Sequence, residues 1–118
     1  MSKIYASAKI KIPYGMLDEF KEAATDYINQ VKQKDRGTLQ SDWFLSSDRT
    51  ECEIRETFES PDAALAHQLN LRESAASIFE KFGTPYSVTI YGDPSPEVIE
   101  IARAGGIEVK EFSILVGL

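Results

Sequence analysis

Residues 51–71 constrain the fold most, because they predict a β-strand, a sharp turn and an amphipathic helix in succession. Side chains alternate over residues 50–58, which predicts a strand with Glu56 on its inward face. Ser60-Pro61-Asp62 then predicts a helix start, with a capping hydroxyl, a proline at the first helical position and an acid at the positive dipole end. Glu56 and His67, the only histidine, occupy positions where apolar residues are expected. We therefore expect any functional site to lie here.

The rest of the chain predicts a βαββαβ order. Alternation predicts strands over 3–12, 38–46 and 85–91, and helical spacing predicts helices over 16–34 and 73–82, with a break near 72–74. A helix over 96–103 and a strand over 107–116 follow as a short αβ addition. This order predicts an α+β, ferredoxin-like antiparallel sheet with helices on one face. We expect one domain over 1–118, with a core of about 3–92 and an extension of about 93–118.

Composition and charge exclude several classes of function. The 118 residues carry a formal net charge of -6, which argues against nucleic acid as a partner because that partner selects a basic face. No apolar run approaches the ~20 residues that span a bilayer, so no membrane association is expected. Cys52 is the only cysteine, which predicts a reducing, cytoplasmic location. One histidine and one cysteine predict no metal site.

Aromatic residues on the open face of the predicted sheet indicate a partner. Tyr5, Phe44 and Tyr91 fall on the face that the helices do not cover. A monomer seldom exposes such a patch, so we expect a homodimer packed sheet to sheet. The final strand is apolar on both faces, and we expect it to pair with an edge strand of the partner.

The segment ETFESPDAALAH, residues 56–67, resembles the E-x-aromatic-x-[DS]-x-x-A-x-x-x-H signature of the antibiotic biosynthesis monooxygenase (ABM) family. Trp43 before a Ser-Asp turn and Tyr91-Gly92 also fit that family, and the resemblance covers about residues 3–92. It implies a dimeric α+β barrel. It also implies a cofactor-independent monooxygenase that oxidises a small phenolic or quinol-type aromatic ligand with O₂.

We assign the candidate residues the following roles in such an enzyme. His67 is the catalytic base or hydrogen-bond donor, Glu56 orients it, and Trp43 forms a wall of the substrate site. Asn70, one turn beyond His67, is a candidate to orient a ligand oxygen, and Tyr91 is a candidate for its polar tip, as are Tyr27 and Tyr86.

Each of these residues also has a structural interpretation. A buried histidine often satisfies a neighbouring group, Glu56 often forms a structural ion pair with it or with an arginine, and Trp43 often belongs to the core. Asn70 often faces water. The alternative function is a non-catalytic small-molecule-binding or structural dimer, and an acidic interaction module is a third. A cavity of roughly 300 Å³ or more with His67 pointing into it distinguishes the enzyme from these.

Overall fold

In a computed structural model that describes residues 2–118, five strands and four helices follow one another in the predicted order. The strands are β1 (Ile4–Lys11), β2 (Thr38–Leu45), β3 (Glu51–Phe58), β4 (Ser87–Tyr91) and β5 (Val109–Phe112). The helices are α1 (Leu17–Lys34), α2 (Pro61–Asn70), α3 (Arg72–Phe82) and α4 (Pro96–Ala104). The order of elements agrees with the one predicted from the sequence.

The sheet has the strand order β2-β3-β1-β4-β5. The first four strands pair antiparallel, which confirms the ferredoxin-like βαββαβ fold. The predicted αβ extension adds β5 to the edge of this sheet, where it pairs parallel to β4. Helix α4 forms the crossover between these two strands and returns the chain to the same end of the sheet, so they run in the same direction. The strand predicted over 107–116 is also shorter, Val109–Phe112.

The helix starts and the helix break follow local chemistry. The Ser60 side chain accepts a hydrogen bond from the backbone N–H of Ala63 at 3.1 Å, and Pro61 begins α2 as predicted. The predicted break falls at Leu71, one residue before the expected range. Leu71 is buried, so the chain turns around an apolar anchor before α3 begins.

A β-bulge interrupts β2 at Leu39. Thr38 pairs with Phe58 and Gln40 pairs with Thr57, so Leu39 is the extra residue and has no partner in β3. The residue is 51% exposed.

Two apolar clusters lie between the sheet and the helices. One contains residues of α1, α3 and β1–β3, among them Tyr27. The other contains residues of α2, α4, β1 and β3–β5, among them Phe58. The His67 ring lies 6.1 Å from the Tyr27 ring and 5.0 Å from the Phe58 ring. His67 therefore lies where the two clusters meet.

The opposite face of the sheet carries exposed aromatic side chains. These are Tyr5, Phe44, Tyr91 and Phe112. The exposure of Tyr5, Phe44 and Tyr91 agrees with the face assigned to them from the sequence, and the second copy that would cover this face stays a prediction. Among residues 2–118, no helix combines the length and the apolar character needed to cross a membrane.

Candidate functional site

The centre of the candidate site is the His67 ring, which α2 places in the interior with 7% of the residue exposed. Its Nδ1 lies 2.5 Å from Oδ2 of Asp35. Its Nε2 lies 3.1 Å from the hydroxyl oxygen of Tyr27 and 3.4 Å from Oε2 of Glu56. Both ring nitrogens are therefore held by acidic or phenolic oxygens, and we call these four residues the His67 cluster.

Asp35 enters this cluster because α1 ends at it. Its backbone N–H donates to the carbonyl of Val31 at 3.0 Å, which completes the last turn, and its backbone then leaves the helical conformation. The side chain turns inward, where Asn70 Nδ2 donates to its Oδ1 at 2.8 Å. Each carboxylate oxygen of Asp35 thus faces a side-chain donor, as a buried charge requires.

Sequence reasoning missed Asp35, although a signal for it was present. It stands within the polar segment KQKDRG, which predicts a solvated helix end. However, it follows Tyr27 and Val31 at intervals of four residues, which places it on the buried stripe of α1. Extending the buried stripe of α1 by one more turn therefore identifies Asp35.

Glu56 reaches the cluster from β3. It lies on the inward face opposite Ala6 of β1 and Ser41 of β2. Ser41 Oγ donates to its Oε2 at 2.9 Å. The sequence prediction that Glu56 and His67 are companions agrees with this arrangement.

The surroundings fix the protonation of the cluster. Burial alone lowers the pKa of His67, but hydrogen bonding to Glu56, its charge, and the same two effects from Asp35 outweigh it, so the net pKa is raised. Burial raises the pKa of Tyr27, and the negative charges of Glu56 and Asp35 raise it further. The cluster therefore favours an imidazolium beside a neutral phenol.

Trp43 lies beside the cluster but does not enter it. Its ring is 5.3 Å from the Tyr27 ring and 5.8 Å from the Phe20 ring. Its indole Nε1 is buried and has no acceptor among residues 2–118. Trp43 also lines a groove of about 300 Å³ between α1 and the β2–β3 hairpin, so Tyr27 stands between this groove and His67.

Asn70 and Tyr91 have different places. Asn70 contacts His67 only through Asp35, and it lines a groove of about 440 Å³ with that residue. Tyr91 stacks on Phe112 at 5.7 Å on the outer face of the sheet. The structure therefore brings Asn70 to the edge of the cluster and leaves Tyr91 on the far side of the sheet.

Asp35 and Trp43 line the grooves next to the cluster, but the His67 imidazole does not. A second groove on Asp35, of about 450 Å³, lies between α1 and β2 and includes Ser41. His67 lines none of these three grooves. Within residues 2–118, no three or more His, Cys, Asp or Glu side chains form a group that could hold a metal ion.

Several solved structures share this fold. MupZ from Pseudomonas fluorescens superposes with a TM-score of 0.80 at 16% identity, over 100% of this chain and 94% of its own. Rv0793 from Mycobacterium tuberculosis gives 0.67 at 19% identity, over 80% and 97%. A candidate antibiotic biosynthesis monooxygenase from Caulobacter crescentus gives 0.66 at 21% identity, over 75% and 86%. No family model and no curated protein matches the chain.

Proposed function

We propose that this chain, which has the antibiotic biosynthesis monooxygenase fold, is a cofactor-independent oxygenase. Its substrate would be a small phenolic or quinol-type aromatic, which it oxidises with O₂. One observation carries the proposal. A buried histidine lies between two carboxylates and a phenol, next to an aromatic-lined groove. Buried, mutually perturbing titratable groups beside a cleft are typical of acid–base sites.

The proposed reaction balances without a cofactor. One oxygen atom of O₂ replaces a C–H bond of the aromatic ring and becomes the new carbonyl oxygen of a quinone. The other leaves as water with two hydrogens that the substrate loses, and the substrate supplies the electrons. The protein then needs to accept the proton of the substrate hydroxyl and to keep the electron-rich anion away from water.

The geometry supports the following part for each residue in that proton transfer. Asp35 holds Nδ1 of His67 and so fixes the ring orientation. Tyr27 lies between Nε2 and Trp43, so it relays the proton of a groove-bound substrate to Nε2 when the imidazole is neutral, at a pH above the raised pKa of His67. Glu56 is the second acceptor at Nε2. Trp43 forms the wall against which the substrate ring packs.

Oxygen uptake with a panel of hydroquinones and anthrones tests this function. We expect His67→Gln to lower turnover by at least about 100-fold, because general acid–base catalysis supplies effects of this size. Tyr27→Phe removes one hydroxyl while keeping the ring, and we expect a loss of about tenfold or more. Ser74→Ala is the matched control, because Ser74 donates to Gln30 between two helices, outside the cluster. Turnover unchanged in both cluster variants, or undetectable in the unmodified protein, contradicts the proposal.

A non-catalytic binding protein is the second candidate, and a specific observation favours it. Both nitrogens of His67 are occupied, and the imidazole lines none of the three neighbouring grooves. In that case the cluster fixes α1 and α2 on the sheet and a ligand binds without reacting. Saturable binding of an aromatic with no oxygen uptake across the panel distinguishes this function from the enzyme.

We also propose that a second copy covers the outer face of the sheet. Phe44 and Tyr5 expose about half of their surface there. Tyr91 and Phe112 follow Tyr5 at the same register on β4 and β5, whereas Phe44 lies on β2 at the other edge. A stable interface buries about 800 Å² on each partner, with aromatic side chains at its centre. We expect a dimer at micromolar concentration in sedimentation, and Phe44→Glu to yield monomer. Leu69→Glu, equally exposed on α2, is the control and keeps the dimer. A monomeric unmodified protein contradicts this proposal.

A cytoplasmic location remains our proposal as well. Cys52 is buried in β3, and burial raises the pKa of its thiol to about 11. Such a thiol stays protonated and unreactive, which suits a reducing compartment. Recovery of the protein in a cell fraction other than the cytoplasm contradicts it.

A further inference from the structure

The groove beside Trp43 combines an apolar floor with charged residues at its margin. It lies between the N-terminal half of α1 and the β2–β3 hairpin and is an open groove of about 300 Å³. Its apolar lining residues are Leu17, Phe20, Ala24, Trp43, Leu45 and Cys52. Its charged lining residues are Asp18, Lys21 and Arg49. A planar aromatic ligand of one or two rings matches this volume and lining.

Arg49 occupies a backbone conformation that arginine rarely adopts. Its φ is 63°, and it is the one residue other than glycine with a positive φ among residues 2–118. Glycine or asparagine adopts this conformation at lower energy. A residue kept in an unfavourable conformation next to a cleft points to a function for its side chain.

The turn that holds Arg49 is fixed independently of its side chain. Asp48 accepts hydrogen bonds from Ser46 Oγ at 2.8 Å and from Thr50 Oγ1 at 2.7 Å. The backbone N–H of Arg49 donates to the carbonyl of Ser46 at 2.9 Å. Because neighbouring residues stabilise the turn, the guanidinium is not needed for it.

Both cations of the groove lack a carboxylate partner. Within residues 2–118, no Asp or Glu oxygen lies within 4.0 Å of the charged nitrogens of Lys21 or Arg49. Asp18 is the one acidic residue of the lining, so the groove carries two positive charges against one negative charge. This local excess stands out in a chain whose net charge is -6.

We propose that this groove binds a small aromatic carboxylate. The ring packs on Trp43 and Phe20, and the carboxylate binds Lys21 and the fork-shaped guanidinium of Arg49. The binding preference rests on the groove alone. Its extension, that the oxidised substrate is a phenol bearing a carboxylate, rests on the oxygenase proposed above.

The single tryptophan makes the groove directly observable. The protein gives one indole N–H resonance, from Trp43, which we would follow in ¹⁵N-correlated spectra while adding 2-naphthoate or its neutral analogue 2-naphthamide. We expect 2-naphthoate to bind at least about tenfold more tightly, because a hydrogen bond to a charged group outweighs one to a neutral group.

Variants then assign the preference to its residues. Arg49→Asn keeps a residue that tolerates positive φ and removes the guanidinium, so we expect the fold intact and 2-naphthoate binding weakened about tenfold. Lys21→Gln should weaken it several-fold. Neither variant should change 2-naphthamide binding. The control is Lys110→Gln, which removes the same charge from β5, at the other edge of the sheet.

Each contrary outcome has a distinct meaning. Equal affinity for the two compounds, equal effects of Arg49→Asn and Lys110→Gln, or no shift of the indole resonance overturns the proposal. Charge-dependent binding without oxygen uptake by any phenol upholds this site and overturns the oxygenase. Turnover of neutral quinols together with failed 2-naphthoate binding does the reverse.

Discussion

The two ends of the interface between α1 and the sheet differ in how their polar groups are satisfied. At the C-terminal end, the charged groups of the His67 cluster lie in the interior and have close partners. At the N-terminal end, the Trp43 groove presents aromatic walls and two cations without acidic partners. The same helix and the same β2–β3 hairpin build both ends.

This difference separates two tasks along one helix. A fully paired buried network is rigid and holds titratable groups in fixed positions, whereas unpaired groups around an apolar groove leave room for a ligand to complete them. Tyr27 connects the two ends, since it touches His67 through its hydroxyl and Trp43 through its ring. We therefore expect mutations at the C-terminal end of the interface to change stability most and mutations at the N-terminal end to change ligand binding most.

The largest effect is expected from Asp35→Ala. This change leaves the His67 imidazolium without its nearest counter-ion and Asn70 without its acceptor. We expect the free energy of unfolding to fall by about 3 kcal/mol, the cost of removing one partner from a buried ion pair. Urea denaturation measures it. Ser74→Ala, which removes one side-chain hydrogen bond outside the cluster, should lower the free energy of unfolding by about 1 kcal/mol. Equal losses in the two variants would show that the His67 cluster stabilises the fold no more than an ordinary hydrogen bond does.

The next effect is a pH dependence of stability that His67 causes. Its folded-state pKa is raised above the reference value of 6.5, so its contribution is fully present below pH 6.5 and is lost as the pH rises through the folded pKa. In that window the free energy of unfolding should fall by at most about 1.4 kcal/mol per pH unit. His67→Gln should remove this slope. Denaturation series at several pH values measure it, and an unchanged slope in the variant would assign it to other groups.

The smallest effect is expected at the groove. Arg49→Gly relieves the positive φ and removes no ion pair, so the protein should be as stable as before or more stable by up to about 1 kcal/mol. Thermal denaturation at matched pH measures this difference in stability. A clear loss of stability would mean that the Arg49 side chain supports the hairpin. Polar side chains would then stabilise the fold at both ends of the interface.

The strand and helix order and the central pair of polar residues could be predicted from the sequence, because they depend on local patterns. Alternation predicts β3, and the Ser60 cap predicts the start of α2. Glu56 is a carboxylate on an apolar strand face, which indicates a buried charge that needs a partner. Asp35 was missed because it follows a run of polar residues, and its burial depends on where α1 ends against α2. The direction of β5 and the bulge at Leu39 could not be predicted for a similar reason, since strand pairing is a contact between distant segments.

NMR titration of His67 measures the charge state of the imidazole directly, because the chain's only histidine gives a single set of imidazole signals. We expect a pKa above 6.5 in the folded protein, and a lower value in Asp35→Asn, which keeps the shape of the side chain and removes its charge. A pKa at or below 6.5, or one that Asp35→Asn leaves unchanged, would show that the imidazole is not held as a cation between its two carboxylates.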